Sequence, residues 1–252
     1  MIRLKPIITI LIIGIFTIYA CGDDNEPVEE YNGNLSELMS LNNYSESDEV
    51  IACAGSNSAG DSVYVFFYPE MGATDFRYFE ADITSDGNKY ASYNEIKLGK
   101  QLLLNDYLYR FNRGGEKEGW GIVTFMLNGK LHASNPILFK QLNKATEYTN
   151  ASLNIEFNNS KSPQFLWEDG KIKENEIYYE IVMDSERKVL SATYTYDKNY
   201  TYYNTSNVVL DLSNPANVKE LAVSKSYTIA VMGISIDNWI NLFIEKEFTV
   251  PN

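Results

Sequence analysis

The chain has 252 residues, with 34 acidic against 21 basic side chains (net charge −13), one histidine, two cysteines and 19 tyrosines. With such an acidic balance and no basic stripe to offset it, phosphate backbones are repelled, so no nucleic-acid partner is expected. One histidine rules out zinc sites built from two or three of them, and two cysteines rule out a thiolate cluster, so neither metal nor cofactor is expected.

Arg3 and Lys5 open the chain, and an apolar run from Ile7 to Ala20 follows, broken only by Thr9, Gly14 and Thr17. A charged start, an apolar centre and a small residue at the end make up a secretory signal. The run is also shorter than the roughly 20 apolar residues that span a bilayer. Thr17-Ile18-Tyr19-Ala20-Cys21 resembles the lipobox of bacterial lipoproteins, with Tyr19 departing from the usual middle residue. The resemblance implies removal of residues 1–20 and lipidation of Cys21, so the membrane becomes a partner through an acyl anchor.

Residues 21–34 read as an acidic tether, Gly22 to Glu30 being polar and nearly free of apolar side chains. An acidic run directly after the cysteine resembles the export signal of Bacteroidota surface lipoproteins, which implies a cell-surface outer-membrane lipoprotein. A periplasmic lipoprotein with an acidic linker is the alternative. Without Arg3 and Lys5 the mature chain keeps 19 basic against 34 acidic residues, a net charge of about −15.

Beyond the tether, Leu35, Leu38 and Leu41 recur at spacing three, consistent with one short helical turn over 34–41. The rest reads as β. Val63 to Tyr68 is β-branched and aromatic and stops at Pro69. Phe76 to Ile83 ends at the turn Ser85-Asp86-Gly87-Asn88. Leu102 to Leu104 and the alternating Tyr107, Tyr109 and Phe111 follow. Trp120 to Leu127 and Ile137 to Gln141 flank Asn128-Gly129, a hairpin signal.

A second series comprises Leu153 to Phe157, Phe165 to Trp167, Ile177 to Met183, Val189 to Tyr196, Asn207 to Leu212, Tyr227 to Ile234 and Trp239 to Val250. Short strands at regular spacing with turn signals predict β-sandwiches, and the length suits two of about 100 residues each. The fold class is therefore all-β, with one sandwich over 35–145 and a second over 146–252; a single large jelly roll is the alternative.

Pro163 four residues before Trp167, Tyr179 in Tyr179-Glu180-Ile181-Val182, and Leu221 six residues before Tyr227 resemble features of fibronectin type III and related immunoglobulin-like domains. The last spacing resembles a tyrosine corner, in which a hydroxyl closes back onto the upstream backbone. The likeness covers about residues 151–250 and implies a second sandwich of that type. Taken whole, the chain resembles surface lipoproteins of Bacteroidota with tandem immunoglobulin-like modules, a fold that serves adhesion, spacing and ligand binding alike.

Two candidate binding features stand out. Tyr194 and Tyr196 share one strand face and Tyr200 and Tyr202 another, with Asn204 nearby, a pattern able to stack on sugar rings; cross-strand tyrosines are also ordinary sheet stabilisers. Asp237, Asn238 and Trp239 lie between the last two strands, where Trp239 serves either recognition or as a plug for the open end of its own sandwich. Asp82, Asp86 and Asn88 lack the spacing of a calcium loop. Cys53, in an apolar stretch, reads as a buried small hydrophobe, and His132, beside Ser134, lacks a nucleophile's context. Glu168 and Asp169 sit in a turn. No catalytic residue is expected. The expected role is a membrane-anchored, non-catalytic surface module that binds a glycan or protein, with a structural spacer or scaffold subunit as the alternative.

Overall fold

The computed structural model describes residues 31–42, 44–104, 107–115, 117–158 and 161–252. The leader, Cys21 and residues 22–30 therefore lie outside the described residues. Residues Tyr31–Asn252 cluster as one compact unit.

Helix α1 (Leu35–Leu41) starts at Asn34, whose side chain accepts the Ser36 N–H. Residues expected at the end of the tether are thus already folded, and the Gly33 carbonyl accepts the Glu95 N–H. Ten strands follow: β1 (Tyr44–Val50), β2 (Ala52–Ser56), β3 (Ser62–Phe67), β4 (Thr74–Asp82), β5 (Asn94–Glu95), β6 (Lys100–Leu103), β7 (Leu108–Gly114), β8 (Gly119–Leu127), β9 (Lys130–Ser134) and β10 (Ile137–Phe139). One sheet runs β1-β9-β8-β4-β5, with β10 also on β8; the other runs β2-β3-β7-β6. Strict alternation decides the packing. Val63, Val65 and Phe67 meet Tyr78, Val123 and Phe125 between the two sheets. The opposite face of the first sheet, through Phe79, Ile122 and Leu131, is covered by Leu35 and Leu38 of α1.

The expected hairpin at Asn128-Gly129 forms, both residues taking positive φ as a two-residue turn of this kind demands. Its second strand, however, is β9 and not the expected Ile137–Gln141; Ile137–Phe139 pairs with the far end of β8 instead.

The second series gives β11 (Glu147–Tyr148), β12 (Leu153–Glu156), β13 (Gln164–Trp167), β14 (Ile177–Asp184), β15 (Val189–Thr195), β16 (Asn199–Thr201), β17 (Val208–Asp211), β18 (Ser226–Ile234) and β19 (Ile240–Thr249). A three-stranded sheet, β12-β13-β16, lies over a six-stranded one, β11-β19-β18-β14-β15-β17. This is an immunoglobulin-like sandwich. Trp167 sits in its core against Tyr178, ring centroids 5.5 Å apart. The tyrosine corner is present: the Ala222 N–H donates to the Tyr227 hydroxyl at 2.9 Å, with Leu221 buried beneath. Tyr178, and not Tyr179 as the resemblance implied, is the tyrosine that faces this core. Tyr179 points to the opposite side of β14.

That opposite side is also covered. The outward residues of β14, β15 and β18 (Tyr179, Ile181, Met183, Tyr194, Ala230 and Met232) pack with Cys53 and Phe66 from the outer face of the β2-β3-β7-β6 sheet. The described body is therefore a stack: helix, sheet, sheet, sheet, sheet, with the two sandwiches joined through a third apolar layer.

Candidate functional site

The tyrosine run does not form a platform. Tyr194 is buried in the layer between the sandwiches, stacked on Tyr179 at 4.4 Å. Tyr200 and Tyr202 are 2 % and 0 % exposed inside the second sandwich; Tyr200 shares a hydrogen bond with Ser191, and the Tyr202 hydroxyl donates to the Lys219 carbonyl. Of the four candidate tyrosines Tyr196 alone is open, and Asn204 spends its side-chain oxygen on the Ser206 N–H. The reason is topological. Tyr194 faces out of its own sandwich but lies under the first one, while β16 belongs to the opposite sheet, where Tyr200 faces the core.

The segment Asp237-Asn238-Trp239 is likewise structural, and it plugs the other sandwich, not its own. Trp239 is fully buried in the core of the first sandwich, with its indole N–H donating to the Lys144 carbonyl at 2.7 Å. The Asn238 amide donates to the Pro136 carbonyl and its own carbonyl accepts the Ala54 N–H. Asp237 pairs with Lys140, and its carbonyl accepts the Leu138 N–H. A recognition loop would leave these groups in solvent.

The remaining polar candidates are also committed. Asp82 and Asp86 accept backbone N–H groups of Thr84 and Asn88 as turn caps. Among the described residues no group of three or more His, Cys, Asp or Glu is placed to hold a metal. His132 stacks on Phe125. Asp169 works against its own burial, but bonds from Lys198, Tyr178 and Asn175 hold its carboxyl below the usual range. Cys53 is buried, and burial pushes its thiol up to about 12, far from a reactive thiolate.

The sandwiches do not meet along their whole length. Where the outer faces diverge they enclose a cleft of about 310 Å³. Its floor comes from β14, β18 and β19: Ile181, Met183, Ala230, Met232 and Phe243. One wall is the outer face of β3 and β7, with Tyr64, Phe66, Leu108 and Arg110. Tyr64 and Phe66 meet edge to face at 6.0 Å, and the Arg110 guanidinium lies 4.0 Å over the Tyr64 ring. At the rim, Arg187 and Glu245 form a two-bond ion pair at 3.2 and 2.9 Å, which raises the arginine's already high pKa. Tyr148 donates to the Ser56 carbonyl, and burial of its phenol raises it to about 12.

The sequence held one signal for this cleft. Ile177–Met183 and Tyr227–Ile234 are apolar at both parities, as a strand covered on both faces must be. One apolar parity belongs to the sandwich core and the other needs a second cover.

No protein-family model matches the chain, and no curated protein matches it. Solved structures similar to it include the FN1–FN3 domains of chicken CNTN1 (11 % identity, 84 % of this chain and 69 % of that one, TM-score 0.30). Others are Tp47, the 47-kilodalton lipoprotein of Treponema pallidum (10 %, 81 % and 52 %, 0.30), and a cytokine receptor complex (8 %, 81 % and 97 %, 0.30). At that level of superposition the fold class rests on the sheets themselves, which define an all-β protein of immunoglobulin-like sandwiches.

Proposed function

We propose that the protein is a non-catalytic binding module, anchored by lipid on Cys21 to the outer membrane and facing the cell exterior. The anchor rests on the leader and lipobox of the sequence. The binding role rests on one observation: two sandwiches locked together leave a cleft of about 310 Å³ whose floor carries no charge. The ligand is one with apolar surface to bury. A rigid spacer is the competing reading, favoured by the plugged junction at Trp239, which fixes one sandwich on the other.

Two measurements test this. Mass spectrometry of the membrane fraction should find a mature chain starting at acylated Cys21, and Cys21→Ser should release it from the membrane. The uncharged dye Nile red should brighten saturably with the protein. Ala230→Phe, which fills the floor, should abolish the response; a spacer without a site would show no saturable response, or one that Ala230→Phe leaves unchanged.

A further inference from the structure

We propose that the cleft takes an anionic amphiphile of the fatty-acid class, its alkyl chain on the Met183–Met232 floor and its carboxylate at Arg110. This rests on the cleft being the binding site, as proposed above.

The floor selects for alkyl over sugar or peptide. Its backbone donors and acceptors are already spent in the ladders that pair Ile181 with Ala230 and Met232 with Phe243. A sugar hydroxyl or a peptide amide laid there would lose water and find no partner, which is costly. An alkyl chain has nothing to satisfy. Met183 and Met232 add unbranched, polarizable side chains that adapt to a flexible chain. The volume, about 310 Å³, lies at the small end of the roughly 300–1,000 Å³ typical of small-ligand sites.

Arg110 selects for the anion. In a chain with a large acidic excess, Arg77, Arg113 and Arg187 each hold a carboxylate. Arg110 has none within ion-pair distance among the described residues. Its Nε donates to the Gln101 amide oxygen at 2.9 Å and its plane rests on Tyr64. Both partners are neutral, so they orient the guanidinium without cancelling its charge, and its two Nη groups are left to a fork that fits a carboxylate. The other cation of the cleft, Arg187, is neutralised by Glu245, so among the described residues Arg110 is the cleft's one cation without a carboxylate partner. The net acidity of the surface is screened beyond roughly 10 Å at ordinary salt and does not cancel a contact ion pair.

The test uses the mature chain with Cys21→Ser, titrated calorimetrically with laurate and with dodecanol, both below their aggregation concentrations. Laurate should bind one to one and at least about tenfold tighter than dodecanol, a gap that one charged hydrogen-bonded contact readily supplies. Arg110→Gln should close that gap by weakening laurate to the level of dodecanol. Ala230→Phe should abolish both ligands; Leu103→Trp, at the cleft wall, serves the same purpose should Ala230→Phe fail to give the wild-type urea midpoint. Equal affinity for laurate and dodecanol in the wild type, or a gap that survives Arg110→Gln, overturns the proposal. So does Nile red binding that is displaced by an apolar peptide or by self-association but not by laurate, an outcome that leaves the cleft as a binding site with another occupant. Loss of every response, Nile red included, overturns the binding reading itself.

Discussion

The indole N–H of Trp239, carried by the β18–β19 connection of the second sandwich, donates to the carbonyl of Lys144 from within the core of the first. One side chain thus belongs by sequence to one sandwich and by packing to the other. Trp239→Ala should cost about 3–5 kcal/mol, the range for removing a fully buried large aromatic. The loss should fall first on the junction. Hydrogen exchange in β2 and β10, which flank the indole, should accelerate more than exchange in β13. Equal acceleration throughout would mean that the two sandwiches unfold as one and that the plug is not a local joint.

The same junction fixes Gly55. A Cβ there would lie 2.7 Å from Thr146 Oγ1 and 3.0 Å from Ile240 Cβ. Thr146 has no freedom to yield, because its hydroxyl donates to the Ile240 carbonyl and accepts the Ser56 N–H. Gly55→Ala should therefore destabilise by about 1–3 kcal/mol, as overpacking does. Gly99→Ala, where nothing lies within 4 Å, should shift the urea midpoint little. Equal midpoints for the two variants would contradict the close approach.

The all-β class and most strand positions were legible because period-two alternation and turn residues are local signals. The tyrosine corner was legible for the same reason: it spans six residues. The candidate site was not. Tyr194 and Tyr200 alternate as a surface ladder would, and two long-range facts bury them: the first sandwich covers Tyr194, and the crossing of the chain to the opposite sheet turns Tyr200 into the core. Trp239 shows the same limit, since sequence placed it in the correct loop but could not say which core receives the side chain. The cleft needs residues more than a hundred positions apart, such as Arg110 and Met232, and its one local trace was the doubled apolar parity of β14 and β18.

The tyrosine corner gives a clean contrast. Tyr227→Phe keeps the ring against Phe248, 5.8 Å away, but strips the acceptor from the Ala222 N–H. A partly buried donor left without a partner costs about 1–3 kcal/mol. Tyr196→Phe, at a side chain 67 % exposed, should stay within about 0.5 kcal/mol of wild type. Equilibrium urea unfolding of both separates the roles; a Tyr227→Phe variant as stable as Tyr196→Phe would mean that water replaces the lost hydroxyl.

Glu180 carries the pH dependence. It lies on the inward face of β14, fully buried, with the Thr195 and Thr193 hydroxyls donating to its carboxyl oxygens at 2.9 and 3.3 Å. Burial raises its pKa well above 4.5, and the two threonine bonds only partly oppose this. The folded protein therefore holds a proton that the unfolded chain has released once the pH exceeds about 4.5. Stability contributed by this group is greatest below that value and falls as the pH rises towards the folded-state pKa, because the folded state then binds more protons than the unfolded one. Glu180→Gln keeps an acceptor for the threonines and removes the titration. The difference in stability between the variant and wild type should therefore grow in the variant's favour from pH 4.5 towards neutrality. Carboxylates such as Asp169, held low by their partners, act in the opposite sense and at lower pH, and they cancel in that difference. A difference that stays flat across this window would show that Glu180 ionises in the folded state as freely as in the unfolded chain.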